Sequence, residues 1–207
     1  MAAECLWQDR GVVEGNDRAT VIATDRLVVR PWRLDEVDRF VEIYRHPEVV
    51  RWFPAAPRLE REEALERIER TLGQLSADPR FGRWAVVDRS SHIPVGTVIL
   101  QPLPDGAGEI EIGWHFHPDS WGQGLASEAA GAVLERGFRD GLPEVWAVTD
   151  VENYRSAAVC RRIGMRLLGV THRWYHEPSL MFWAGARRGL KPSLAPDEPA
   201  PAPRSST

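Results

Sequence analysis

Residues 109–129 read Glu-Ile-Glu-Ile-Gly-Trp-His-Phe-His-Pro-Asp-Ser-Trp-Gly-Gln-Gly-Leu-Ala-Ser-Glu-Ala, a stretch that combines groups able to bind an anion with groups able to move a proton. A strand pattern ends near Phe116, a glycine turn follows at Trp121-Gly122-Gln123-Gly124, and a helix pattern begins. The start of a helix leaves four backbone N–H groups without intrahelical partners, and its dipole is positive there. Glycines let a ligand approach the backbone closely. Together these features suit a phosphate or pyrophosphate. The turn lacks the GxxxxGK[ST] of a P-loop, and only Gly122 and Gly124 fall in a GxGxxG frame. The plain alternative is a turn that merely needs positive φ.

Strand side chains alternate, so Glu109, Glu111 and His115 share one face of the preceding strand. A carboxylate or an imidazole so placed suits general-base work near neutral pH. Ordinary carboxylates at a sheet edge are the competing reading. The pairs His115-x-His117 and His172-xxx-His176 have spacings that invite a metal, but no further Cys or carboxylate ligand accompanies them, so none is expected. Cys5 and Cys160 lie far apart with no CxxC spacing, which fits a reducing compartment rather than a disulfide framework. Cys160 reads as a small buried hydrophobe, with no His at a predictable spacing to make it a nucleophile. Tyr154 and Tyr175 are further hydroxyls whose orientation the sequence does not place.

The elements that must position these groups alternate in period. Residues 27–32 form a strand that Pro31 confines to an edge or ends. Asp35 is a candidate N-cap for a helix to about 44, which stops before Pro47. A second helix spans about 60–76, with Leu65, Ile68, Leu72 and Leu75 on one stripe and a charged, solvated outer face. Strands at 83–88, 95–101 and 109–116 are joined by short turns and form an antiparallel meander. A helix to about 139 follows the glycine turn and ends at Gly141-Leu142-Pro143. A strand at 145–149, a helix capped by Asn153 and closed by Gly164, and strands at 166–171 and 180–184 complete the order. The strand–helix–strand crossover in the middle makes the strands at 109–116 and 145–149 parallel. Trp114, Trp146 and Trp183 fall in strands and read as core. Trp32 and Trp52 line a pocket or pack helices on the sheet.

Composition sets bounds. The 207 residues carry 26 basic and 30 acidic side chains, a formal net charge of -4, so bulk-charge binding of nucleic acid is not expected. No run of 18 apolar residues is present, and the first ten residues do not resemble a secretory signal, so no membrane association is expected. Residues 1–19 read as a loose arm, 20–187 as one globular domain and 188–207 as a flexible tail. Five prolines between Gly189 and Thr207 carry the last reading.

Trp121-x-x-Gly124-x-Ala126 resembles the acyl-CoA pyrophosphate loop of the GNAT N-acetyltransferase superfamily, usually written R/Q-x-x-G-x-G/A. The fuller string Gly113-Trp114, Pro118, Trp121-Gly122-Gln123-Gly124-Leu125-Ala126-Ser127-Glu128-Ala129 is similar to the branch of ribosomal-protein N-terminal acetyltransferases (RimJ/RimL type), where Trp often stands first. Thr24-Asp25-Arg26-Leu27-Val28-Val29-Arg30 resembles that branch's T-x-R-L-x-x-R strand. Asn153-x-x-Ser156 with Gly164-Met165 resembles its N-x-x-S…G-F/M helix. The resemblance covers residues 20–185.

It implies an α/β (α+β) fold with a mixed, mostly antiparallel sheet of about seven strands, a central splayed parallel pair and about four flanking helices. It implies acetyl-CoA as co-substrate, cradled by backbone N–H groups of Gly122, Gln123, Gly124, Leu125, Ala126 and Ser127 beside Trp121. The strand around Trp114, His115 and Phe116 would pair with the pantetheine amides, and Asn153 would hold the cofactor near its thioester end. Ser156 would supply the acid hydroxyl; Glu111, the strand carboxylate nearer the glycine turn, is the expected base. Many family members carry Tyr seven residues after the Asn, where this chain has Cys160. The implied reaction moves an acetyl group to a primary amine, a protein N-terminus or a small molecule, by direct attack in a ternary complex. A non-catalytic acyl-CoA-binding module and a succinyl-CoA donor are the alternatives. A cytoplasmic location and a homodimer fit this reading.

Overall fold

The computed structural model describes residues 22–52, 59–104, 106–175, 177–187 and 189–194. The sheet has eight strands: β1 (Ile22–Ala23), β2 (Leu27–Pro31), β3 (Gly82–Asp88), β4 (Pro94–Pro102), β5 (Ile110–Phe116), β6 (Glu144–Asp150), β7 (Arg166–Thr171) and β8 (Ser179–Gly185). Five helices accompany them: α1 (Val37–Arg45), α2 (Pro47–Val50), α3 (Arg61–Ala77), α4 (Leu125–Arg139) and α5 (Tyr154–Arg162). Strand order is β1-β2-β3-β4-β5-β6-β8-β7, and the β5–β6 pair alone is parallel.

The mixed sheet and its central parallel pair match the expected architecture. β1 is the added strand, and α2 the added helix. β1 forms because Thr24 closes a tight turn: its N–H donates to Leu27 O (2.9 Å) and its hydroxyl accepts from Leu27 N (3.0 Å). Pro31 is the last residue of β2, as its missing donor requires. One local expectation is corrected. Asp35 does not cap the first helix, because a 3-10 turn at Leu34–Glu36 precedes α1 and takes Arg33 as its N-cap. Glu36 accepts from Arg33 N (3.0 Å) and pairs with Arg30 (2.5 Å), which leaves Asp35 inside the turn.

Alternation along the strands gives the sheet two apolar faces. Trp84 and Val86 of β3 face α4 and α5, together with Val98, Leu100, Ile112, Leu125, Ala129, Val133 and Phe182. Ala85 and Val87 face α1 and α3, with Trp32, Phe40, Ile43 and Ile68. Trp32 is 2% exposed and its ring lies 5.0 Å from Phe40, so it packs helix against sheet rather than lining a pocket. Trp146 and Trp183 are buried with Trp174 and Met181, and Trp114 packs partly buried on the α4 face. Of the segment expected to be a tail, residues 189–194 are described: Ser193 N donates to Glu144 (3.1 Å) and Leu194 packs near Trp146. The expected arm at 1–19 lies outside the described residues. Among the described residues no helix is long and apolar enough to cross a membrane.

Candidate active site

The glycine turn is held open by its neighbours. Gly122 has φ +76° and Gly124, the residue capping α4, has φ +78°, both in the region that disfavours side chains. Trp121 Nε1 donates to Phe116 O (2.8 Å), which pins the turn to the end of β5. From the other side Arg26 donates to Gln123 O (2.9 Å) and pairs with Glu128 (2.6 Å). Glu128 Oε1 also accepts from Thr24 Oγ1 (2.6 Å) and from Arg26 N (3.0 Å). The Thr24-x-Arg26 motif and Glu128, 104 and 102 positions away in sequence, are thus one brace on the first turn of α4.

The N–H of Glu128 is the first to close a helical bond, onto Gly124 O (3.1 Å). The N–H groups before it in the first turn are left for a ligand. Gly122, Gln123 and Gly124 are exposed, and a Cβ built on Gly122 meets no heavy atom within 4 Å. Ser127 Oγ is buried with no hydrogen-bond partner among the described residues. An open ring of donors and an orphaned hydroxyl at a helix N-terminus fit a phosphate-bearing ligand.

The second element of the site is a gap in the sheet. β5 pairs with β4 from Ile110 to Phe116, and β6 pairs with β8 along its length. Between β5 and β6 only Glu111↔Trp146 is in register. Past that pair β5 and β6 have no further register partner, the arrangement in which an extended ligand can add to the edge of a strand. Because the two strands are parallel, β5 leads into the glycine turn and β6 into Asn153 at the same end of the sheet. Asn153 Oδ1 accepts from Ser156 N (3.1 Å) and caps α5, while Ser156 is half-buried.

Glu111 sits where the gap begins. It is 7% exposed, and its Oε2 accepts a 2.8 Å hydrogen bond from Tyr175 Oη on the β7–β8 loop. Burial pushes its carboxyl up to about 7, against the opposing pull of Tyr175, Arg83 and Gln101. Such a group exchanges a proton near neutral pH, as a general base must. The two other candidates on that face are corrected. Glu109 lies before β5 and its Oε2 accepts from Ala107 N (2.6 Å), so it belongs to the hairpin turn. His115 Nδ1 meets Tyr44 Oη at 2.9 Å, and burial with the nearby Arg83 charge holds the imidazole down to about 3. It stays neutral and is a weak base. Burial pushes the Cys160 thiol up to about 12, which keeps it an inert core group.

The fold therefore places the turn from Trp121 to Ser127, the end of β5 from Trp114 to Phe116, and the start of α5 with Asn153 and Ser156 at the same end of the parallel pair, with Glu111 at the one register pair that joins β5 to β6. It adds Tyr175, for which the sequence held no signal beyond residue type. Tyr154, the other hydroxyl, is 75% exposed. Among the described residues no group of three or more His, Cys, Asp and Glu could hold a metal ion; His176 lies outside them.

Comparison with known proteins identifies the family and the fold. The acetyltransferase (GNAT) domain family matches residues 26–166. An uncharacterized N-acetyltransferase of Bacillus subtilis, YnaD, is 30% identical over 149 residues, covering 72% of this chain and 84% of its own. A GNAT-family acetyltransferase from Bacillus anthracis superposes with a TM-score of 0.69 at 24% identity, over 80% of this chain and 98% of that one. RimL, a ribosomal-protein α-N-acetyltransferase solved with coenzyme A, superposes with a TM-score of 0.65 at 15% identity, over 80% and 97%.

Proposed function

Since this chain belongs to the GNAT acetyltransferase family, we propose that its domain, residues 20–187, moves the acetyl group of acetyl-CoA onto a primary amine by direct attack in a ternary complex. The observation that carries the reading is the convergence of the open glycine turn with the β5–β6 gap, which begins at a buried carboxylate. The acceptor is a protein N-terminus or a small-molecule amine. The solved likeness to RimL is one of fold, and the motif resemblance to that branch is what favours an α-amine.

In this reading the N–H groups from Gly122 to Ser127 hold the pyrophosphate of acetyl-CoA, with Trp121 at the head of the loop. The β5 edge at Trp114, His115 and Phe116 pairs with the pantetheine amides and directs the thioester toward Glu111. Asn153 orients the same arm from α5. A backbone N–H at the gap polarises the thioester carbonyl. At pH 7 about a tenth of α-amines are neutral, but only about 0.04% of lysine amines. Glu111, titrating near 7, takes the proton from the incoming amine, directly or through a water. The amine nitrogen forms the new bond to the acetyl carbon, and the C–S bond breaks as the tetrahedral intermediate collapses. Ser156 lies at the same end of the sheet and offers a proton to the departing thiolate. It serves where Cys160 stands in place of the tyrosine of other members.

Two measurements test this. A melting-curve titration with acetyl-CoA, CoA, succinyl-CoA and NAD should show stabilisation by CoA species alone, about 2.7 kcal/mol at 100 times the dissociation constant. Thiol release from acetyl-CoA should then require an amine. Absence of any CoA-dependent shift at millimolar concentration would sink the reading. Binding without turnover across an amine panel would favour a regulatory module, and preference for succinyl-CoA would change the donor.

A further inference from the structure

The acyl-CoA loop of this chain opens with Trp121, where the motif it resembles usually has Arg or Gln. An indole has one donor, and Trp121 Nε1 is already bonded to Phe116 O (2.8 Å). The loop's first residue therefore offers a phosphate no hydrogen bond from its side chain. Two arginines nevertheless reach this end of α4. Arg26 lies under the loop, but Glu128 counters its charge at 2.6 Å. Arg155, the second residue of α5, has its guanidinium carbon 4.5 Å from the centroid of the Trp121 ring. It is exposed, the first turn of α5 carries no acidic residue, and among the described residues no carboxylate pairs with it.

We propose that Arg155, held over Trp121 by a cation–π stack, is the cation that binds a phosphate of acyl-CoA in this chain. Trp121 thus positions the charge that its own side chain lacks. Stacking uses the face of the guanidinium and leaves its in-plane N–H donors directed outward, the arrangement that recognises phosphate. The ring is fixed by its bond to the end of β5, so the stack holds the cation beside the residue that opens the Gly122–Gly124 turn rather than leaving it on a free side chain. Arg155 also lies two residues after Asn153, so a single helix start presents both the amide for the pantetheine arm and the cation for the phosphates. This inference rests on the acyl-CoA reading above.

The test is isothermal titration of the intact protein with acetyl-CoA, acetyl-dephospho-CoA and acetyl-pantetheine. Arg155→Met should weaken acetyl-CoA binding about tenfold or more, the scale of a lost charge-assisted hydrogen bond, and Arg155→Lys should restore part of it. Acetyl-pantetheine, which has no phosphate, should bind the variant and the native protein alike. Trp121→Leu should weaken acetyl-CoA in the same sense while leaving the phosphate-free ligand unaffected. An equal loss with acetyl-CoA and acetyl-dephospho-CoA assigns Arg155 to the pyrophosphate; a loss with acetyl-CoA alone assigns it to the 3′-phosphate. An unchanged affinity in Arg155→Met, or an equal loss toward acetyl-pantetheine, overturns the proposal while leaving the acyl-CoA reading intact. Failure of the native protein to bind any of the three would instead overturn that reading.

Discussion

Tyr175 Oη donates a 2.8 Å hydrogen bond to Glu111 Oε2, joining the β7–β8 loop to the central strand across 64 positions of sequence. The contact stabilises the carboxylate form of a group that burial otherwise drives toward neutrality. Tyr175→Phe removes the donor and keeps the ring. The Glu111 carboxyl should then titrate higher, and the acid limb of kcat/KM against pH should move up by as much as about one unit. An unmoved limb would show that Glu111 is not the group that limb reports.

Glu111→Gln should lower kcat at pH 7 by about 100-fold, within the usual range for a lost general base. The deficit should narrow toward pH 9, where an α-amine loses its proton without help. A loss that is constant across pH would point to a packing role instead.

The same substitution has a signature in stability. The folded carboxyl titrates near 7 against an ordinary 4.5, so between those values the folded chain binds more protons than the unfolded one. Stability therefore falls as pH rises through that window, by roughly 3 kcal/mol when complete above pH 7. Glu111→Gln should flatten this dependence and leave the protein more stable than the native chain at pH 8, as read by urea titration at several pH values.

Gly122→Val separates folding from binding. The residue has φ +76°, so a β-branched side chain costs about 1–2 kcal/mol in strain, yet its Cβ meets no protein atom within 4 Å. Tm should fall by several degrees, whereas affinity for acetyl-CoA should fall by more than tenfold as the side chain enters the ring of N–H donors. Unchanged affinity would remove the turn from the binding site.

Asn153 caps α5 through Ser156 N, and Asn153→Ala should cost about 1 kcal/mol of stability. Asn153→Asp keeps the cap. If the residue also holds the cofactor arm, the Asp variant should melt like the native chain but bind acetyl-CoA more weakly. Equal binding would leave Asn153 a cap alone.

The Arg26–Glu128 pair is partly exposed, with side chains 49% and 20% accessible, so Arg26→Ala should cost no more than about 1 kcal/mol of stability. Its effect on acetyl-CoA affinity should be larger, because Arg26 also holds the Gln123 carbonyl that shapes the turn. A double-substitution cycle with Glu128→Gln should show the two acting as one unit in binding.

Short-range signals made much of this protein readable in advance. The glycine turn before α4, the Asn153 cap, the stripe on α3 and the parallel crossover all follow from spacing that a few consecutive residues carry. So did the cluster of Trp121, Gly122, Gly124, Asn153 and Glu111 as candidates, since one strand, one turn and two helix starts contain them. Contacts between distant segments decided the rest. Asp35 was displaced as a cap because Glu36 pairs with Arg30 from the neighbouring strand. Glu109 and Glu111 have the same type and alternation, and only the hairpin turn at Ala107 and the burial beside β6 separate them. His115 became neutral because burial and the Arg83 charge from β3 both disfavour its cation. Tyr175 reached Glu111, and Arg155 reached Trp121, through the way β8 and α5 return to the sheet. Periodicity and capping chemistry are local properties of the chain, so the sequence determined the elements and the loop. Desolvation and long-range pairing depend on what folds against each group, so only the tertiary structure decided which carboxylate titrates near neutrality and which cation faces the site.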